Sequence, residues 1–311
     1  MGVPLVSIAI CTYNGEKHLI EQLESIVNQT YSNLQIIAAD DLSTDSTVEI
    51  LRSYQDKYSF FTHYQNQRNL GYVKNFENVI SKCKGEYIAL SDQDDIWDLD
   101  KIEKQVKNIG NHSLIYHDSS FIDEKGNSLS KKLSEVYTQY QGNEPFPFLL
   151  FNCVAGHSIL FSNQLVKDII PFNEAYFHDR WIANIASERG GIKLIPSPLV
   201  RYRQHSTSIT DSLNMKTDQD RPDLLFSLPA LNWIKMCSEK SLRHKLYYKN
   251  ILACFNEKGE ITNSFKLFFL LLNKIYLIFF TVKKSKFSKL NYLRKICFSS
   301  NHSIQSSNEK I

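Results

Sequence analysis

The first ninety residues alternate between short apolar runs and segments with helical spacing, and this alternation constrains the fold more than any other feature. The strand-like runs lie at 5–12, 34–39, 60–64 and 86–91. The segments with helical spacing lie at 16–29, about 43–54 and about 72–81. A βαβαβαβ order requires right-handed crossovers, which build a parallel sheet with helices on both faces. The sequence therefore predicts an α/β fold with a Rossmann-like, mostly parallel sheet.

Polar clusters follow three of these predicted strands. They are TYNG at 12–15, DDLSTD at 40–45 and SDQDD at 91–95. In open α/β sheets, ligands bind beyond the carboxyl ends of the strands. We therefore expect three polar loops to meet at one rim of the sheet.

The SDQDDIWD stretch concentrates negative charge at Asp92, Asp94, Asp95 and Asp98. Carboxylates at this spacing repel one another and raise one another's pKa unless a cation is supplied. Mg²⁺ and Mn²⁺ prefer oxygen ligands and bind through one or two carboxylates plus substrate phosphates. A lone acidic turn more often only caps the following helix. A second acidic pair, 40–41, at another strand end favours a metal–diphosphate site instead.

The C-terminal region has a different character, because strand signals stop at residue 224. The run 264–282 is densely apolar, but Lys266, Asn273 and Lys274 interrupt it before the roughly 18 residues that a spanning helix needs. From 261 to 311 there are nine Lys or Arg residues and one acid. This pattern is typical of an interfacial helix on anionic lipid, although a buried helix with a solvated basic end fits equally well. The aromatic content favours lipid over nucleic acid.

Six cysteines show no CxxC pair, and 311 residues can bury a core without disulfides. We therefore expect free thiols and a reducing compartment.

TYNG, DDLSTD, NLGYVKN at 69–75 and SDQDD together resemble, in order and spacing, the nucleotide-sugar-binding half of inverting family 2 glycosyltransferases with the glycosyltransferase A fold. The resemblance extends from residue 5 to about 210. It implies a nucleotide-sugar-binding half at 1–110, an acceptor-binding half of the same domain at 111–220, and a helical, basic tail at 221–311 that associates with membrane.

The resemblance implies a donor site at the predicted rim. Thr12, Tyr13 and Asn14 would line the nucleoside pocket, largely through their backbone. Asp41 would accept a hydrogen bond from the pyrimidine N3–H, and Asn69 would lie near the base or the phosphates.

The same resemblance implies a site for Mg²⁺ or Mn²⁺. Asp92 would contact the ribose or the metal, and Asp94 would bind the metal on the diphosphate. In RYRQH (201–205), the resemblance makes His205 a metal ligand, and Arg203 would neutralise the leaving diphosphate. From the residues alone, the alternating basic side chains of 201–205 indicate only the solvated edge of a strand.

Asp179, within FHDRW at 177–181, is the candidate base. On its own it is an acid favoured at a helix N-terminus. The resemblance makes it the carboxylate that takes the proton of the acceptor hydroxyl during inverting transfer. His178 departs from the family, since many members carry Glu or Asp there. Trp181 either stacks on a sugar ring or only walls the cleft, and Trp97 has the same two interpretations.

Three further histidines have no partner at ligand spacing, so we interpret them as core or surface residues: His112, His117 and His157. The QxxRW signature of processive synthases is missing, which favours transfer of a single sugar.

SDQDDIW, HDRW and YRQH are most similar to bacterial rhamnosyltransferases. The resemblance implies a peripheral enzyme on the cytoplasmic face of the cell membrane that moves L-rhamnose from dTDP-L-rhamnose to a lipid-linked glycan of capsule or cell wall. The alternative is a non-catalytic nucleotide-sugar-binding module of a polysaccharide assembly complex. A nucleotidyltransferase is disfavoured, because the loop after the first strand has one glycine, Gly15, and no basic phosphate cradle. No nucleic acid partner is expected, and the sequence does not indicate an oligomeric state.

Overall fold

The computed structural model describes residues 2–204, 228–256 and 261–298. They belong to two compact units. The first contains residues 2–144 and 153–204, and the second contains 145–152 and the described residues from 228 onward. The sequence-based boundary at 220 did not anticipate that the short segment 145–152 groups with the C-terminal helices.

The first unit is built on a nine-stranded sheet in the order β3-β2-β1-β4-β8-β6-β9-β5, with β7 beside β6. The strands are β1 (Val6–Thr12), β2 (Leu34–Asp40), β3 (Phe61–Gln65), β4 (Tyr87–Ser91), β5 (Ile96–Trp97), β6 (Leu114–Ile122), β7 (Ser128–Lys132), β8 (Leu160–Ser162) and β9 (Ile192–Arg203). The helices are α1 (Glu16–Val27), α2 (Thr47–Lys57), α3 (Tyr72–Ser81), α4 (Lys101–Ile109), α5 (Leu133–Val136), α6 (Val166–Ile169) and α7 (His178–Arg189).

The first four strands pair in parallel, as predicted. β8 lies between β4 and β6 and is antiparallel to both, so β6 and its parallel neighbour β9 run in the same direction as β1. Two short strands, β5 and β7, pair antiparallel with β9 and β6. The sheet is therefore mixed: six strands share one direction, yet half of the eight pairings are antiparallel.

Burial explains why these sequences form these elements. β1 is buried along its whole length, which suits an apolar run in the middle of a sheet. On α1, the side chains of Leu19, Leu23 and Ile26 are fully buried at the predicted helical spacing. The parallel pairing of β1 with β2 and with β4 places the carboxyl ends of these strands side by side, with Thr12 opposite Asp40.

The second unit is helical. Its helices are α8 (Leu228–Lys240), α9 (Lys245–Asn256), α10 (Ile261–Asn273), α11 (Ile275–Ile278) and α12 (Lys286–Phe298). Phe146 is fully buried, and its ring centroid lies 4.7 Å from that of His244 and 5.0 Å from that of Tyr247, which explains why 145–152 belongs here.

The apolar run 264–282 does not form one helix, because α10 ends at Asn273 and α11 is a separate short helix. Among the described helices, none combines the length and the apolar character needed to cross a bilayer. All six cysteines are buried free thiols, as predicted.

Candidate functional site

The loops after β1 and β2 are tied together at the rim. The Thr12 hydroxyl donates to Asp40 Oδ1 at 3.0 Å. The backbone N–H of Asn14 donates to the Ser43 hydroxyl, and the Asn14 side-chain oxygen accepts from the backbone N–H of Thr44, both at 2.8 Å. Asn14 has a φ of +48°, a left-handed conformation that asparagine tolerates. The predicted nucleoside-pocket residues therefore stand on a fixed loop.

Gln93, the middle residue of SDQDD, links the loop after β4 to the same place. Its amide oxygen accepts from Tyr13 N–H at 2.8 Å, and its amide nitrogen donates to Tyr13 O at 3.1 Å. A Cβ at Gly15 would lie 2.3 Å from the Gln93 amide oxygen, so a larger residue there would displace the Gln93 side chain from Tyr13. The Tyr13 side chain itself is about half exposed at the rim.

Asp41 is buried and organises the loop before α3. Its Oδ1 accepts from Asn66 Nδ2 and Leu70 N–H, and its Oδ2 accepts from Gly71 N–H, each at 2.8 Å. A carboxylate has about four acceptor positions, so one is left over. Contact between Asp41 and a base stays a prediction, as does the role of Asn69, whose side-chain oxygen accepts from Gly71 N–H at 3.0 Å.

The loop after β4, which carries Asp92, Asp94 and Asp95 and is called the acidic loop below, concentrates negative charge. Burial, together with the charges of Asp94 and Asp179, raises the pKa of Asp92 to about 7. Asp95 is fully buried, and burial followed by the charges of Asp94 and Asp92 lifts its pKa well above the usual range. The Asp95 Oδ2 atom is buried without a hydrogen-bond partner. The charge of Arg203 lowers the pKa of Asp95, but burial and the neighbouring carboxylates outweigh it.

Three side chains in the described ranges converge as a candidate cation site: Asp92, Asp95 and His157. One ligand atom from each lies within 4.8 Å of the others. His157 Nε2 lies 2.8 Å from the Ser119 hydroxyl, and burial lowers the pKa of His157 to about 3. At neutral pH its imidazole is thus neutral, the form that binds metal. Two carboxylates and an imidazole suit Mn²⁺, and the orphaned Asp95 oxygen fits a ligand role.

Asp179 faces this charged loop from α7. It lies in the first turn of the helix, and its charge contributes to the raised pKa values of Asp92 and Tyr72. The thiol of Cys11 lies within electrostatic range of both Asp92 and Asp41. Asp179 (the predicted catalytic base), the acidic loop and Asp41 (the predicted partner of the nucleobase) are thus brought to one rim of the sheet.

His178, next to the predicted base, lies in an aromatic cage. Its ring centroid is 4.3 Å from that of Phe76 and 6.0 Å from those of Tyr72 and Phe172. Burial lowers the pKa of His178 to about 3. It therefore acts as a neutral packing residue beside Asp179 rather than as a second acid.

Arg203 does not have the role that the sequence suggested. The residue is 1% exposed, its Nε donates to Asp94 O at 2.7 Å, and its Nη1 donates to Glu124 O at 3.1 Å. Its Nη2 is paired with Glu21, and its backbone N–H donates to Asp95 Oδ1 at 3.0 Å. Because the guanidinium is committed to these partners, the phosphate-partner assignment is wrong, and Arg203 instead holds the acidic loop in place.

Trp181 also departs from the prediction. Its side chain is 5% exposed, and its indole N–H donates to Ile169 O at 2.9 Å. A buried indole with a backbone partner is a core residue. Trp181 is therefore not available to stack on a sugar. The predicted ligand His205 lies outside the described residues.

Comparison with known proteins identifies the family. The family model described as glycosyl transferase family 2 matches residues 7–169, which is more than half of the chain. The chain belongs to glycosyl transferase family 2.

Relatives of this family 2 chain occur in archaea and bacteria. An uncharacterized glycosyltransferase of Methanocaldococcus jannaschii is 32% identical over 212 residues, covering 65% of this chain and 72% of the relative. An uncharacterized glycosyltransferase of Rickettsia typhi is 28% identical, covering 83% of this chain and 82% of the relative. An uncharacterized protein of Mycobacterium tuberculosis is 31% identical over 67% of this chain, and the chain spans 61% of its length.

Solved structures share the fold of this family 2 chain. Staphylococcus aureus TarS, crystallised with UDP-GlcNAc, superposes with a TM-score of 0.57 at 14% identity, over 88% of this chain and 81% of that one. A mannosyltransferase of Pyrobaculum calidifontis, in complex with GDP-Man and Mn²⁺, gives 0.52 at 14% identity over 97% and 89%. At such identity the likeness shows the fold alone, a mixed α/β glycosyltransferase A-like fold.

The buried position of Arg203 in this family 2 chain predicts a stability effect. Arg203→Met should lower the free energy of unfolding by about 3 kcal/mol or more, because it leaves the Asp94 and Glu124 carbonyl groups without their charged donor. Chemical denaturation measures the loss. Lys17→Met is the matched control, since it removes only the exposed ion pair with Glu124 and should cost less than about 1 kcal/mol. Equal losses in the two variants would show that Arg203 is not a structural tie.

Proposed function

We propose that this chain transfers a single sugar from a nucleoside diphosphate donor to a glycan acceptor, with inversion at the anomeric carbon. The observation that carries the proposal is the meeting of the Asp92–Asp95–His157 cluster with Asp179 at one rim of the sheet. A carboxylate beside a cation-binding acidic loop is the pairing that attack on a sugar diphosphate requires.

In the proposed reaction, Asp179 takes the proton of the acceptor hydroxyl. The hydroxyl oxygen bonds to the sugar C1 as the bond from C1 to the diphosphate breaks, and the nucleoside diphosphate leaves with the electron pair. Asp92, Asp95 and His157 would hold Mn²⁺ or Mg²⁺, which supplies positive charge for the departing diphosphate. Arg203 keeps the acidic loop in position through Asp94 O and the Asp95 carboxylate.

The donor is proposed from motifs rather than from the fold. SDQDDIW and HDRW support L-rhamnose supplied as dTDP-L-rhamnose. TarS was crystallised with UDP-GlcNAc and the Pyrobaculum enzyme with GDP-Man, so uridine and guanosine donors are the natural competitors.

The proposed acceptor is a lipid-linked glycan of bacterial capsule or cell wall synthesis, reached from the cytoplasmic face of the cell membrane. Eight basic residues and no acid between 261 and 298 support a membrane surface as a partner.

A panel of dTDP-, UDP- and GDP-sugars, each with Mn²⁺ or with EDTA, tests the donor. A true donor at about a hundred times its Kd adds about 2.7 kcal/mol of stability, which corresponds to a rise in Tm of about 5 °C or more. We expect this rise for dTDP-L-rhamnose and only with metal. Stabilisation by another donor would overturn the rhamnose assignment. Stabilisation without nucleotide release in the presence of lipid-linked glycan would favour the non-catalytic module.

A further inference from the structure

We propose that one face of the C-terminal helices, formed by α10 and α12, binds the surface of an anionic lipid bilayer through aromatic and basic side chains. This inference deepens the proposed membrane partner by assigning the surface and the lipid chemistry. It stands or falls separately from sugar transfer.

α10 has two apolar sides, and only one of them is covered. Leu267 and Leu271 are buried at 1% and 2% exposure. Phe265 and Phe269, one helical turn apart on another side, are 49% and 62% exposed. If this side of α10 faced only water, polar residues would be expected at positions 265 and 269.

α12 adds to the same aromatic surface. The Phe298 ring centroid lies 4.9 Å from that of Phe265 and 5.9 Å from that of Phe268. Phe268 in turn lies 5.8 Å from Phe269. These four rings form one aromatic patch, of which Phe265, Phe269 and Phe298 are exposed at its outer side.

The exposed face of α12 continues the pattern along the helix. Phe287, Leu290, Arg294 and Phe298 recur at spacings of three and four residues, which places them on one face. Phe287 is 85% exposed, the largest value among the exposed large apolar side chains of the described residues. Leu293 and Ile296, between them, are buried against the unit.

Charge identifies the partner. Lys266 adjoins Phe265, and Arg294 and Lys295 lie in the last turns before Phe298, all exposed. Across 261–298 the eight basic residues have no acidic neighbour in sequence. A second copy of the chain would set this charge against itself. An anionic bilayer offers negative headgroups directly above an apolar layer, so it satisfies both the lysines and the rings.

Co-sedimentation of the full chain with vesicles tests the inference. Vesicles of phosphatidylcholine and phosphatidylglycerol in equal amounts should bind the chain at least tenfold more strongly than phosphatidylcholine alone, and added salt should weaken the binding. The double variant Phe269→Ser/Phe287→Ser should bind at least tenfold more weakly. These two rings are among the most exposed, so the substitutions spare the packed side of the helices.

Leu242→Ser/Leu246→Ser is the matched control, because it removes two side chains of 67% and 71% exposure outside α10 and α12. It should bind vesicles like the unmodified chain. Equal loss in both double variants, or equal binding to the two vesicle types, would overturn the proposal. Binding to a single-stranded RNA oligonucleotide but not to vesicles would also overturn it. Donor-induced stabilisation and release of nucleoside diphosphate, measured on the same samples, report separately on donor binding and on sugar transfer.

Discussion

Replacement of Asp179 by asparagine should lower the rate of sugar transfer by about 10²–10⁴-fold. Asparagine has nearly the same shape as aspartate, but its amide cannot take the acceptor proton. The fold should survive, because the side chain lies in the first turn of α7 and is only partly buried. Release of nucleoside diphosphate at saturating donor and acceptor measures the rate.

Glu174→Gln is the control for Asp179, because Glu174 is an exposed acid in the segment just before α7. This variant should turn over like the unmodified enzyme. Donor-induced stabilisation should persist in Asp179→Asn, which separates lost chemistry from lost binding. Full activity of the asparagine variant would remove Asp179 from the role of base.

The second large effect concerns the cation. His157→Gln should weaken Mn²⁺ binding by roughly a hundredfold, since it removes one of three ligands that the fold brings within reach of one ion. Glutamine can still hydrogen bond to the Ser119 hydroxyl, so the core around it should be preserved. Loss of the free Mn²⁺ signal in electron paramagnetic resonance, titrated without donor, gives the affinity directly.

A comparison of variants distinguishes this ligand set from the one that the sequence suggested. Asp95→Asn should match His157→Gln, whereas His112→Gln should bind Mn²⁺ normally, because His112 contacts the backbone of Ile109 away from the acidic loop. If Asp94→Asn and His205→Gln abolish Mn²⁺ binding while His157→Gln retains it, the sequence-based pair is correct and the Asp92–Asp95–His157 site is not used.

Local pattern was sufficient to predict the first half of the sheet. β1 and β2 are continuous apolar runs, and the spacing of Leu19, Leu23 and Ile26 on α1 matches their burial. α3 (Tyr72–Ser81) coincides with the predicted helix. Each of these signals lies within one element, so no knowledge of distant partners was needed.

Long-range pairing explains what sequence patterns missed. β6, whose sequence mixes His117, Asp118 and Ser119 with apolar residues, does not look like a buried strand, yet those three polar residues are buried. β8 runs against its neighbours, so its beginning, rather than its end, approaches the rim and brings His157 to the acidic loop. Spacing along the chain cannot show a ligand that only the reversed strand delivers.

The roles predicted for Arg203, at the end of β9, and for Trp181, in the first turn of α7, failed for a related reason. Arg203 and Trp181 look like ligand contacts because such residues are common in binding sites. The structure satisfies them internally, through Glu21 and backbone carbonyls for Arg203 and through Ile169 O for Trp181. Sequence alone does not show whether a polar group finds its partner in the protein or in a ligand.

The amide of Gln93 has a thermodynamic consequence. It uses both its donor and its acceptor on the main chain of Tyr13, so the nucleoside loop and the acidic loop cannot shift independently. A ligand that orders the nucleoside loop therefore lowers the entropic cost of ordering the acidic loop, and the reverse also holds. Cation and nucleotide would therefore each strengthen the binding of the other by the same factor, as reciprocal linkage requires.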